Sequence, residues 1–147
     1  MTTTRRHILW LGASLFAACG LPTELTAQDT KPISIVTPYV RATPPAARVG
    51  GGYMTIRNSG SAPDRLLSVS SSAAKSVEIH NSVIEGGIAK MRHLGEGLAI
   101  PAKADTVLGP GALHLMFIEP TAPFVVGRLI PVVLVFERVG AIETIFE

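Results

Sequence analysis

The sequence predicts an all-β domain, a two-sheet Greek-key sandwich, on three observations. From Ile33 onward, apolar and β-branched residues come in short runs; clusters of Gly, Pro, Asn and Ser interrupt them; and no long stretch repeats at 3.6 residues. Nine short runs in a chain of 147 residues leave room for one core, filled by the inward side chains of both sheets.

In chain order, the first strand is expected at Ile33 to Arg41, before a loop at Thr43 to Ala47 that holds two prolines. Strands follow at Gly52 to Asn58 and Asp64 to Ser70. Ser76 to Val83 and Ile88 to Leu94 read as a hairpin turning at Gly86-Gly87, a dipeptide suited to the positive φ of tight turns. Thr106 to Leu108 and Leu113 to Ile118 come next, and Pro120 to Pro123 marks a turn. Pro131 to Arg138 and Ile142 to Phe146 form the last hairpin. No linker or internal repeat divides the chain.

The first 27 residues read as an export signal. Arg5 and Arg6 form a charged start, Ile8 to Ala18 an apolar run, and Leu25-Thr26-Ala27 a small-residue cleavage site, so that the working domain covers 28–147. The apolar run is shorter than the roughly 20 residues a membrane-spanning helix needs. Thr4-Arg5-Arg6 also resembles a twin-arginine signal. A second reading takes Phe16-Ala17-Ala18-Cys19 as an imperfect lipoprotein box, which would tether the domain to a membrane through a lipidated Cys19. The protein is thus expected to be periplasmic or otherwise exported, with a membrane-tethered lipoprotein as the alternative.

Composition narrows the partners. The chain is 47% hydrophobic and 16% charged, which is a folded composition rather than a disordered one. Its formal charge of +2 falls to +1 when Arg5, Arg6 and Glu24 leave with the signal, and so near a balance predicts no nucleic-acid partner. Cys19 is the only cysteine, so no internal disulfide can form. A free thiol is vulnerable in an oxidising compartment, where a soft metal site gains by using thioether instead.

Beyond the signal, the chain has three histidines, His80, His93 and His114, and three methionines, Met54, Met91 and Met116. Five of these six fall between residues 80 and 116. Strand residues two apart share a face, so His114 and Met116 project together while Leu113, Leu115 and Phe117 face the core. Closing the hairpin at Gly86-Gly87 sets His80 opposite His93 and diagonal to Met91, all on one face. Imidazole nitrogen and thioether sulfur select a soft, low-valent ion such as Cu(I), whereas Mg(II) or Ca(II) would demand oxygen ligands. Neither ligand type is anionic, so a site of this kind stays cationic and suits a carrier better than a structural centre. Met54, beside Tyr53 and Ile56, is expected in the core or its lining, and His93 lies near the site.

On these residues the sequence resembles the periplasmic copper chaperones of the PCu(A)C family over about residues 33 to 146. His80, then Met91 after ten residues, then the His114-x-Met116 pair match the family's His, Met, His-x-Met motif. The Gly-rich stretch Gly51-Gly52-Tyr53-Met54-Thr55-Ile56-Arg57-Asn58-Ser59-Gly60 and the Pro110-Gly111 before His-x-Met are also similar to relatives. Asn81 departs from the pattern, since many relatives carry a second Met directly after the first His. The resemblance implies a cupredoxin-like sandwich and Cu(I) held by His80, Met91, His114 and Met116. It also implies delivery of copper to a recipient such as the copper centre of cytochrome oxidase, sometimes with a Sco-type thiol protein. The reading is of a metallochaperone and not an enzyme, for no nucleophile, base and orienter stand out together.

Two other readings fit the same residues. His80, His93 and His114 could make a three-histidine zinc site with Met91 and Met116 as bystanders. A metal-free interaction sandwich would make the cluster accidental. An electron-carrying blue-copper site is excluded, because it needs a Cys ligand that the domain lacks.

Overall fold

Every regular element among residues 31–147, which the computed structural model describes, is a β-strand. Ten strands follow in order: β1 (Ile33–Val40), β2 (Val49–Asn58), β3 (Asp64–Ser70), β4 (Ala74–Glu85), β5 (Ile88–His93), β6 (Leu98–Ile100), β7 (Ala104–Leu108), β8 (Leu113–Pro120), β9 (Ile130–Phe136) and β10 (Gly140–Phe146). The segment expected to be an export signal, with Cys19, lies outside the described residues.

The strands are hydrogen-bonded in the order β1-β2-β8-β4-β3-β9-β10, with β5 added to β4, β6 to β3 and β7 to β2. All pairings are antiparallel. The neighbours that are not consecutive in sequence are the crossovers of a sandwich in which one layer holds β1, β2, β8, β4 and β5 and the other β3, β9 and β10. The layers are not separate sheets: β4 meets β3 through Val77 and Val69, and the Val40 amide donates to the Glu147 carbonyl at 2.8 Å, joining β1 to the end of β10. The sheet is therefore nearly a barrel.

Alternation along each strand builds the core. Val77 and Ile79 of β4, Leu115 and Phe117 of β8, and Val132, Leu134 and Phe136 of β9 all point inward and are buried. Phe117 is the hub, edge-on to Phe124 at 5.3 Å and to Phe146 at 6.3 Å between ring centroids. Each such side chain contributes about 1.5–3 kcal/mol by leaving water. Met54, 2% exposed, belongs to this core.

Two departures from the sequence reading have clear causes. β6, three residues between Gly97 and Pro101, was not expected; it forms because Leu98 and Ile100 pair with Leu66 and Asp64 of β3 and bury both side chains. β2 begins at Val49 rather than Gly52 because aromatic rings cover its glycines. A Cβ on Gly50 would lie 2.6 Å from the Phe124 ring, one on Gly51 2.6 Å from the Tyr53 hydroxyl, and one on Gly52 2.6 Å from the Phe117 ring. Glycine here leaves room for a ring rather than making a turn.

Candidate metal centre

The outer face of the first layer carries the histidines and methionines. Val77 and Ile79 of β4 point into the core, so Glu78, His80 and Ser82 point outward. The register fixes their neighbours. His80 pairs with His114 of β8 on one side and with His93 of β5 on the other. Met116 is opposite Glu78, and Met91 is opposite Ser82. Both methionines are therefore diagonal neighbours of His80, from opposite corners, at the roughly 7–8 Å that long side chains bridge. The register brings His80, Met91, His114 and Met116 onto one face with His80 at the centre; the hairpin spacing predicts the His80–His93 and His80–Met91 relations, and the pairing of β4 with β8 supplies the rest.

Local sequence makes this placement. The hairpin that carries Met91 and His93 turns on Gly86 and Gly87, with φ of 60° and 79°, values that suit glycine and match a two-residue turn. β8 is launched from the Pro110-Gly111 turn, where Gly111 has φ of 80° and the Gly109 amide donates to the Leu113 carbonyl at 2.8 Å. That turn points the Ala112 carbonyl at the site, where it accepts from the Ser82 amide at 3.1 Å and lies 2.9 Å from His114 Nδ1.

Hydrogen bonds select the imidazole tautomers. A carbonyl only accepts, so His114 Nδ1 carries the proton and Nε2 keeps its lone pair. His80 Nε2 lies 2.8 Å from the Glu78 carboxylate, which accepts its proton and leaves the lone pair on Nδ1. His80 Nδ1 is buried and has no partner, alone in this respect among the buried side-chain nitrogens and oxygens of the described residues. An unmet buried polar atom costs about 1–3 kcal/mol, and a soft cation would satisfy this one.

Glu78 went unremarked in the sequence reading, although it lies two residues before His80 and hence on its face. Its carboxyl is held below the usual carboxylate range chiefly by the hydrogen bond from His80, which outweighs the opposing effect of its partial burial. The face thus has an anionic neighbour, which the reading of a wholly cationic site lacked. Tyr53 is the other unforeseen residue. Its hydroxyl lies over Gly51, which pairs with Met116, and its ring is 5.1 Å from that of Tyr39.

Exposure grades across the face. His114 is 6% exposed, whereas Met91 is 60% exposed and His93 is also open to solvent. The imidazoles form a row rather than a cage: His80 is 5.5 Å from His93 and 5.8 Å from His114 between ring centroids, with His80 in the middle. No three His, Cys, Asp or Glu side chains among the described residues gather into a ready-made cluster.

Similar proteins share this architecture. The copper-bound PCuAC domain from PmoF2 superposes with a TM-score of 0.65 at 25% identity, covering 78% of this chain and 90% of that one. The solution structure of apo-DR1885 from Deinococcus radiodurans does so with a TM-score of 0.60 at 23% identity, over 99% of this chain and 94% of that one, and shows the common fold. A protein of Leifsonia xyli subsp. xyli, named "Putative lipoprotein Lxx21020", is 28% identical over 144 residues, 92% of this chain and 86% of its own. The family described as "Putative lipoprotein LpqE-like" matches residues 33–147; the chain, with its PCuAC-type β-sandwich, belongs to the LpqE-like family.

Proposed function

We propose that the protein is an exported copper chaperone that binds one Cu(I) through His80, Met91, His114 and Met116. The observation that carries this reading is the buried, unpartnered Nδ1 of His80 at the centre of a face holding both methionines and His114. Two imidazoles with lone pairs free and two thioethers suit Cu(I), which tolerates low coordination and soft donors. The copper-bound PmoF2 domain of the same fold supports copper as the ion. Uncharged ligands and a half-open face leave the ion exchangeable, which a carrier needs and an enzyme does not. The recipient is a copper protein with stronger donors, for which the copper centre of cytochrome oxidase or a Sco-type thiol protein is the expected class.

Cu(I) titration against a competing chelator, with X-ray absorption on the loaded protein, tests this reading. One equivalent bound with both sulfur and nitrogen neighbours is expected, and a copper shell without sulfur would sink it. Export is proposed with Cys19 lipidated rather than with cleavage before Gln28, a choice supported by the lipoprotein names of the family and of the Leifsonia relative. Partition of the protein into detergent, abolished by Cys19→Ser, is the expected result; a parent that stays in the aqueous phase would restore the soluble reading.

A further inference from the structure

The two strands that flank β4 carry mirrored pairs. β8 brings His114-Leu115-Met116 and β5 brings Met91-Arg92-His93, and in each the histidine lies directly opposite His80. The pairs differ in depth: His114 is 6% exposed, while Met91 is 60% exposed and His93 is open to solvent. The His93 ring centroid is as near His80, at 5.5 Å, as that of His114, at 5.8 Å. His80 has its Nε2 committed to Glu78 and thus a single nitrogen to share between the two sides.

We propose that Met91 and His93 form an outward-facing transfer pair that shares His80 with the inner pair His114 and Met116, so that Cu(I) enters and leaves by way of β5. His93 then acts as a transient ligand: a bond from its imidazole to Cu(I) forms as a bond to His114 or Met116 breaks. All these ligands are neutral, so the exchange moves no proton and no electron, and the ion stays Cu(I) throughout. The exposed flank meets the chelator or recipient first, and between encounters the ion rests on His80, His114 and Met116 with Met91 as the one ligand drawn from the exposed side. The inference rests on the Cu(I) site proposed above and adds a residue outside its four ligands.

The test compares the full chain with His93→Gln and His93→Met, following the rates at which Cu(I) is loaded and is withdrawn by excess chelator. Gln keeps polarity but offers no soft or aromatic donor, whereas Met restores one. Losing the transient ligand should slow both rates about tenfold, the factor for about 1.4 kcal/mol in a barrier. His93→Met should recover most of that loss, which a merely structural role of His93 would not permit. Exchange at the parental rate in His93→Gln would overturn the inference, as would failure of His93→Met to recover. Faster release with weaker binding in His93→Gln would make His93 a resident ligand and also overturn it. Failure of the parent itself to bind Cu(I) would instead defeat the underlying site.

Discussion

Glu78 Oε2 lies 2.8 Å from His80 Nε2, two residues along the same face of β4. The contact fixes which nitrogen of His80 carries the proton, and it places a carboxylate behind the imidazole that would bind the metal. Carboxylate–imidazole pairs of this kind orient a ligand and raise its basicity.

Removing that carboxylate should therefore weaken Cu(I) binding with the four proposed ligands intact. Glu78→Ala is expected to lower affinity about tenfold or more, the range for loss of a carboxylate behind a metal-ligating histidine. Glu78→Gln, which still accepts a hydrogen bond through its amide oxygen, should lie between parent and Ala. Chelator competition on the three proteins gives the order, and equal affinities would show that Glu78 does not orient His80.

The same pair makes a signed prediction for acid stability. A carboxyl held below its ordinary value contributes stability that is fully present above the unfolded pKa, about 4.3 for Glu, and is lost as pH falls through the lowered folded value. The stability difference between parent and Glu78→Gln should therefore shrink as pH falls from about 5 to 3. Thermal melts across that range check it; a gap that is constant or widens would contradict the lowered carboxyl.

Met91→Leu and Met116→Leu keep volume and apolarity, so each should cost less than about 1.5 kcal/mol of stability. Met91, already 60% exposed, should cost the less of the two. Each change deletes a sulfur donor and is expected to lower Cu(I) affinity at least about tenfold, equivalent to about 1.4 kcal/mol. A denaturant melt beside a chelator titration separates the two effects, and leucine variants that hold Cu(I) as tightly as the parent would make both methionines packing residues.

Copper retention should weaken in acid, since protons compete with Cu(I) for the imidazole nitrogens of His80 and His114 whereas thioether takes up no proton. Dialysis of the loaded protein at stepped pH measures this. Full retention at pH 4 would remove the histidines from the site.

Gly52→Ala would place a Cβ 2.6 Å from the Phe117 ring at the hub of the core. Overpacking of this sort costs about 1–3 kcal/mol, and a lowered melting temperature with the strand content preserved is the expected outcome. Parental stability would mean that the ring can shift without loss.

The fold was largely legible because alternation and turn residues are local signals. The Gly86-Gly87 turn sets His80 against His93, and the inward Leu115 and Phe117 send His114 and Met116 outward, all of which follows from counting residues in strands. What stayed hidden depends on partners distant in sequence. Leu98 to Ile100 is too short to show a period and becomes a strand only through β3. The strand is read from Gly52 alone because Gly50 and Gly51 carry no side chain to show alternation, and the rings of Phe124, Tyr53 and Phe117 that cover these glycines come from elsewhere in the fold or from further along the strand. Glu78 could have been found from its i, i+2 relation to His80, had charge been sought beside the soft donors. The unequal burial of Met91 and His114 has no local signal, because it reflects which strand ends the layer.

The ring-covered glycines of β2 carry a consequence for genetics. Gly51 sits beside Met116, and the bulk above it is supplied by Tyr53, whose ring is tilted against that of Tyr39 of β1. The wall next to the His-x-Met strand is thus furnished by aromatic residues that bind no metal. A screen for strains that mishandle copper should accordingly recover lesions at Tyr39, Gly51 and Tyr53 as well as at the sulfur and nitrogen donors, and a lesion that adds bulk at Gly51 should be suppressible by removing the Tyr53 hydroxyl it meets.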